Sequence, residues 1–183
     1  MKIIFIRHGE PDKSHVDKRG FRGQGRDMAP LSPRGIEQAN EVSKASILKG
    51  SQVIISSPYT RALQTAAIIS KETGLDINVE VDLHEFIPDK TFRLLGEAEN
   101  KSLHKDFILC KGEYPQGQER KWETITEIIE RTKPVIDKYS DYEKIIVVAH
   151  GGVIRRYAGQ GLIDHCEISE VDYDHEFECF NWV

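Results

Sequence analysis

Apolar residues recur along the chain in two rhythms. Short unbroken runs, "IIFI" at 3–6, "VIISS" at 53–57 and "KIIVVA" at 144–149, have the length and β-branched character of strands covered on both faces. Longer stretches return an apolar residue every three or four positions. In "SPYTRALQTAAIISKETG" these are Ala62, Ala66 and Ile69, and further on Trp122, Ile125, Ile129 and Ile136 mark a long helix with Pro134 as an expected kink. Helix starts and stops are written in the same places: Ser32 then Pro33, with Gly50 as the stop, and Ser57 then Pro58, with Gly74 as the stop. "INVEVD" alternates as a third strand, "GGVIRRYAG" opens another helix, and "HEFECFNWV" reads as a terminal strand. Residues 10–30 have no period and read as a loop, whose length inside a compact fold points to function. Residues 86–118 read as irregular or weakly helical.

Strands alternating with helices predict an α/β fold, a three-layer α/β/α sandwich around a mostly parallel sheet. In such sheets ligands sit beyond the carboxyl ends of the strands. With no internal repeat and no linker, the 183 residues read as one domain, 1–183, with a lid-like insertion around 86–120 that is expected to set specificity.

Composition narrows this further. A chain of 39% hydrophobic and 30% charged residues has enough apolar surface to fold on its own. The net charge of −5 argues against a nucleic-acid or anionic-membrane partner, so any anion must be bound locally. Cys110, Cys166 and Cys179 are scattered, without a CxxC pair, as suits idle thiols in a reducing compartment. No signal peptide or membrane span is expected, and the cytoplasm is the expected location. The sequence leaves the oligomeric state open.

Parallel strands would bring three unusual groups to one edge: Arg7 and His8 after the first, Ser57 to Arg61 after the second, and His150 with Gly151 and Gly152 after "KIIVVA". Taken singly, Arg61 reads as a surface charge and His150 as a core histidine. Together, two arginine forks match phosphate oxygens. Helices expected to start at Pro58 and Gly151 add N–H groups and positive dipole ends. Glycines 9, 151 and 152 would let backbone approach a ligand, and His8, at a strand end, is expected to be exposed. The loop before Asp27 carries Lys13, Lys18, Arg19, Arg22 and Arg26; it reads as a solvated loop or as an attractor for additional anionic groups. His15, His104, His165 and His175 have no partners at useful spacing.

"FIRHGE", "GQGRDMAPLSPRGIEQA", "IISSPYTRALQTA" and "VVAHGGVIR" resemble, in order and spacing, the motifs of the histidine phosphatase superfamily, also called phosphoglycerate mutase-like. The resemblance covers roughly the first 75 residues and 140–160. It implies metal-independent, cofactor-free hydrolysis of a small phosphomonoester through a phosphohistidine on His8. Arg7, Arg61, His150 and Gly151 would hold the phosphate. Glu85, in "VDLHEF", would be the proton donor, with His84 and Asp89 as neighbouring alternatives. "PDKSHVDK" after RHGE, where mutases of the family have serine, tryptophan and asparagine, and the short chain both favour the phosphatase branch. A phosphoglycerate-type mutase and a non-catalytic phosphate-binding module are the alternatives.

Overall fold

The computed structural model describes residues 1–93 and 96–183. Its strands β1 (Lys2–Arg7), β2 (Ile54–Ser56), β3 (Ile77–Val79), β4 (Lys144–Ala149) and β5 (Ile168–Asp172) form one sheet in the order β3-β2-β4-β1-β5. β1 lies parallel to β4 from Lys2↔Lys144 to Arg7↔Ala149, and β2 is parallel to both β3 and β4. β5 alone runs antiparallel, against β1. The helices are α1 (Ser14–Lys18), α2 (Pro33–Val42), α3 (Thr60–Thr73), α4 (Glu97–Leu109), α5 (Ile125–Asp137) and α6 (Gly151–Ala158).

The unbroken apolar runs are explained by helices on both faces of the sheet. Alternate residues of β1 point opposite ways, as the two-residue period of a strand requires. Ile3 and Phe5 join Ile128, Val135 and Ile136 of α5 and Val153, Ile154 and Tyr157 of α6. Ile4 and Ile6 join Val42 of α2 and the expected Ala62, Ala66 and Ile69 stripe of α3. The fold is therefore the mostly parallel α/β sandwich that the pattern predicts.

Several local expectations are corrected. The last strand is Ile168–Asp172, not "HEFECFNWV". It buries Ser169 and Val171 and exposes Glu170 and Asp172, an alternation that a serine in the inward row disguises. The terminal segment instead packs by its rings, Phe177 against Tyr157 and Tyr173 and Phe180 over Gly159. α3 begins at Thr60 rather than Pro58, because the chain bends at Pro58 and Tyr59, and Tyr59, still extended, is the N-cap. α2 stops at Val42. Residues 10–30 contain α1 and a 3-10 turn at Gly23–Met28. Residues 97–109 of the middle segment form a full helix, anchored where Phe107 meets Trp122 and Ile125; residues 94 and 95 of that segment lie outside the described residues. Among the described residues no helix is long and apolar enough to cross a membrane.

Gly9 has a packing role at the end of β1. A Cβ there would lie 2.6 Å from the Gly35 carbonyl oxygen, and a Cβ on Gly35 would lie 2.2 Å from that of Glu10. β1 thus leaves the sheet in backbone contact with α2, whose start is capped by Ser32 accepting from Gly35 N–H at 2.9 Å. Neither clash is relieved by rotating a side chain. Gly35→Ala is expected to destabilise by about 1–3 kcal/mol, read as a lower urea midpoint; an unchanged midpoint would refute the close contact.

Candidate active site

β2, β4 and β1 are neighbours in the sheet, so Ser57, His150 and the Arg7–His8 pair leave it side by side. The rings of His8 and His150 lie 5.0 Å apart, edge to face. Contrary to the expected exposed strand end, His8 is 4% exposed and His150 fully buried. The reason is that α3 and the loop before β5 close over them: Arg61 reaches His8 from the first turn of α3, and the His165 ring lies 5.5 Å from it.

Hydrogen bonds assign the protons. His8 Nδ1 is 2.7 Å from the Gly9 carbonyl, which can only accept, so Nδ1 carries the hydrogen and Nε2 keeps its lone pair. Arg61 Nε donates to that lone pair at 3.0 Å. The same guanidinium reaches His150 Nδ1 through Nη2 at 3.4 Å. Because arginine cannot accept, His150 Nε2–H donates to Ser57 Oγ at 2.7 Å. Burial first, then the Arg61 charge, push the pKa of both rings well below 6.5. Both are neutral imidazoles embedded beside a cation.

Arg61 is itself 7% exposed and is held on three sides. Nη1 donates to Asp27 Oδ1 at 2.9 Å, and the guanidinium carbon stands 5.0 Å over the Tyr59 ring. Thr65, one turn on, bonds the Arg61 carbonyl at 2.8 Å and accepts from Gly9 N–H at 3.0 Å, tying α3 to the end of β1. Burial raises the Tyr59 phenol well above its usual range, so it stays protonated.

Arg7 donates through Nη1 to the Ile163 carbonyl at 2.5 Å, while its buried Nε has no partner in the protein. Burial lowers its pKa, with Glu85 and Asp164 opposing. Gly151 lies beside that Nε, its virtual Cβ 3.9 Å away. Glu85 comes to the same corner. Its Oε1 accepts from Phe86 N–H at 2.8 Å and Gly152 N–H at 3.1 Å, at the start of α6. A Cβ on Gly152 would fall 2.4 Å from that oxygen, which explains the second glycine of "HGG". Of the alternatives, Asp89 is buried and spent on its own turn, accepting from Thr91 and Arg93. His84 donates Nδ1–H to the Glu85 carbonyl at 2.8 Å, and its ring stacks 6.3 Å from Tyr59.

Beside Arg61 opens a cavity of about 280 Å³ between the Gly23–Met28 turn, the start of α3 and His84. None of its lining residues belongs to 86–120, the segment expected to set specificity, and none is a lysine or arginine. None of the basic loop residues lines it, and Arg26 pairs with Asp17 at 3.1 Å. Among the described residues no three His, Cys, Asp or Glu side chains converge to hold a metal ion. Asp27 and Thr65 are site residues that the sequence does not single out, and His165, expected to have no partner, stands with its ring 5.5 Å from that of His8. Asp27 was one acid among several in a basic loop, and His165 has no motif near it.

Residues 3–177 match the family model described as Histidine phosphatase superfamily (branch 1). The chain is 30% identical over 155 residues to "Uncharacterized phosphatase PhoE" of Bacillus subtilis, covering 83% of this chain and 72% of that protein. It is 26% identical over 195 residues to "Probable phosphoglycerate mutase GpmB" of Proteus mirabilis, covering 96% and 86%. A mycobacterial glucosyl-3-phosphoglycerate phosphatase, solved with inorganic phosphate, shares the fold with a TM-score of 0.70 at 20% identity, over 92% of this chain and 88% of that one.

Two buried neutral histidines make stability depend on pH with a definite sign. In the unfolded chain each titrates near pH 6.5; the folded protein keeps them unprotonated to lower pH. The unfolded state therefore binds more protons below about pH 6.5, and stability should fall on acidification from there, by at most ~1.4 kcal/mol per pH unit for each ring. Urea unfolding at pH 7.5, 6.5 and 5.5 should show this slope, and His150→Gln should make it shallower; the same slope in the variant would contradict the assignment.

Proposed function

Because the chain belongs to branch 1 of the histidine phosphatase superfamily, we propose that it is a phosphatase that hydrolyses phosphomonoesters through a covalent phosphohistidine on His8. The observation that carries this reading is the state of His8: Nδ1–H pinned to the Gly9 carbonyl, with the Nε2 lone pair turned to a buried guanidinium. A neutral, oriented imidazole is the nucleophilic form, and the cation beside it suits a phosphoryl dianion.

In the first step the substrate phosphate takes Arg61 Nε away from His8. Nε2 attacks phosphorus while the ester P–O bond breaks. The Nδ1–H to Gly9 bond persists and stabilises the imidazolium that forms. Arg7, whose Nε lacks a partner, Arg61, His150 and the Gly151 end of α6 hold the equatorial oxygens. Glu85 is the proton donor to the departing alkoxide. In the second step water attacks phosphorus from the vacated side, the P–N bond breaks, and the water proton returns to the Glu85 carboxylate. Inorganic phosphate leaves and His8 is again neutral. No metal or cofactor takes part. Asp27 acts through Arg61 as a positioning residue. We read residues 1–183 as one domain in which 86–120 forms a lid-like insertion, its α4 anchored through Phe107 on Trp122 and Ile125.

Quenching turnover should trap acid-labile phosphate on the peptide containing residue 8. His8→Ala should abolish both the label and phosphate release, and equal hydrolysis by this variant would end the proposal. Isomerised ester in place of free phosphate would instead identify a mutase.

Glu85 is tested separately. Glu85→Gln should slow an alkyl phosphate by about 10²–10⁴-fold yet largely spare p-nitrophenyl phosphate, whose leaving group needs little protonation. Gly152→Ala should give a weaker form of the same pattern with little loss of stability, because the Cβ would displace only the Glu85 side chain. Equal losses on both esters would remove Glu85 from the proton-donor role.

A further inference from the structure

The cavity beside Arg61 has a chemistry of its own. It touches the phosphate site through two shared residues: Asp27, which holds Arg61, and Tyr59, whose ring lies 5.2 Å from that of His150. The part of a substrate that leaves with the ester oxygen has this space within reach. Met28 and Val81 both line it and are 61% and 68% exposed, although both are large apolar side chains that gain from being covered. Pro58 and the Tyr59–His84 ring pair add further apolar surface. The one carboxylate is Asp27, with Oδ1 already committed to Arg61, and no lysine or arginine faces in.

We propose that this cavity is the leaving-group subsite, and that it selects monophosphate esters of uncharged, partly apolar alcohols over esters bearing a second anionic group. This rests on the phosphatase reading above. A second carboxylate or phosphate would enter a space with no cation to pair with and would face Asp27, so it would lose its hydration without compensation. An apolar body would cover Met28 and Val81. The same geometry explains why the lysines and arginines of the 10–30 loop do not make the site a receptor for polyanions: they lie outside the lining.

The test compares two alkyl esters, 2-phenylethyl phosphate and 3-phosphoglycerate, so that leaving-group basicity differs little. Calorimetric binding to His8→Ala, which cannot turn them over, should favour the phenylethyl ester by ~10-fold or more, and wild-type kcat/KM should follow the same order. Val81→Lys, at a position exposed enough not to disturb folding, should tighten 3-phosphoglycerate, weaken the phenylethyl ester and so shrink the ratio. Equal or tighter binding of 3-phosphoglycerate, or a ratio unmoved by Val81→Lys, overturns the subsite. If the phenylethyl ester binds preferentially but the wild type releases no phosphate from either ester, the subsite stands and the phosphatase reading falls.

Discussion

The buried guanidinium of Arg61 is the interaction on which the site depends. One planar cation binds the lone pairs of both histidines, the carboxylate of Asp27 and the face of Tyr59. A buried cation is tolerable only when its donors are met, and here the donors' partners are the catalytic candidates themselves. Its charge helps keep His8 and His150 neutral. Under the proposed mechanism, phosphate binding exchanges the Arg61 Nε hydrogen bond to His8 for one to the ligand.

That arrangement is carried by a rigid frame. His8 is delivered by β1, whose exit is fixed by two glycines in backbone contact, Gly9 and Gly35. His150 follows β4, the strand paired with β1 over its whole length. Arg61 rides on α3, which is packed on the sheet by Ala62, Ala66 and Ile69 and joined to Gly9 through Thr65. Glu85 comes from none of these elements. It hangs from the segment after β3 and is located by its bonds at the start of α6, in space left by Gly152. The histidine and arginine cluster and Glu85 therefore stand on different supports.

The legible parts of the site were those attached to regular elements. Arg7, His8 and His150 follow apolar runs that can only be buried strands, and Arg61 sits at the start of a helix with a clear stripe, so topology alone brings them to one edge. Asp27 and His165 escaped because they sit in irregular segments, where sequence spacing says nothing about distance. The burial of His8 was misjudged for a related reason: a strand end is open or covered according to what folds over it, and the covering residues come from 53 and 157 positions away, Arg61 and His165.

The terminal strand shows the same limit from the fold side. "HEFECFNWV" has the alternation of a strand, but the edge of β1 is taken by "ISEVD", and the tail spends its rings on Tyr157, Tyr173 and Gly159 instead. By itself the sequence determined the α/β architecture and the gathering of Arg7, His8, Arg61 and His150 at one sheet edge, because hydrophobic period and strand ends are local properties. Only the tertiary structure decided the histidine tautomers, the anchoring of Arg61 by Asp27, the place of Glu85 and the cavity beside them that no lysine or arginine lines. Each of these depends on through-space distance between segments that the chain itself does not order.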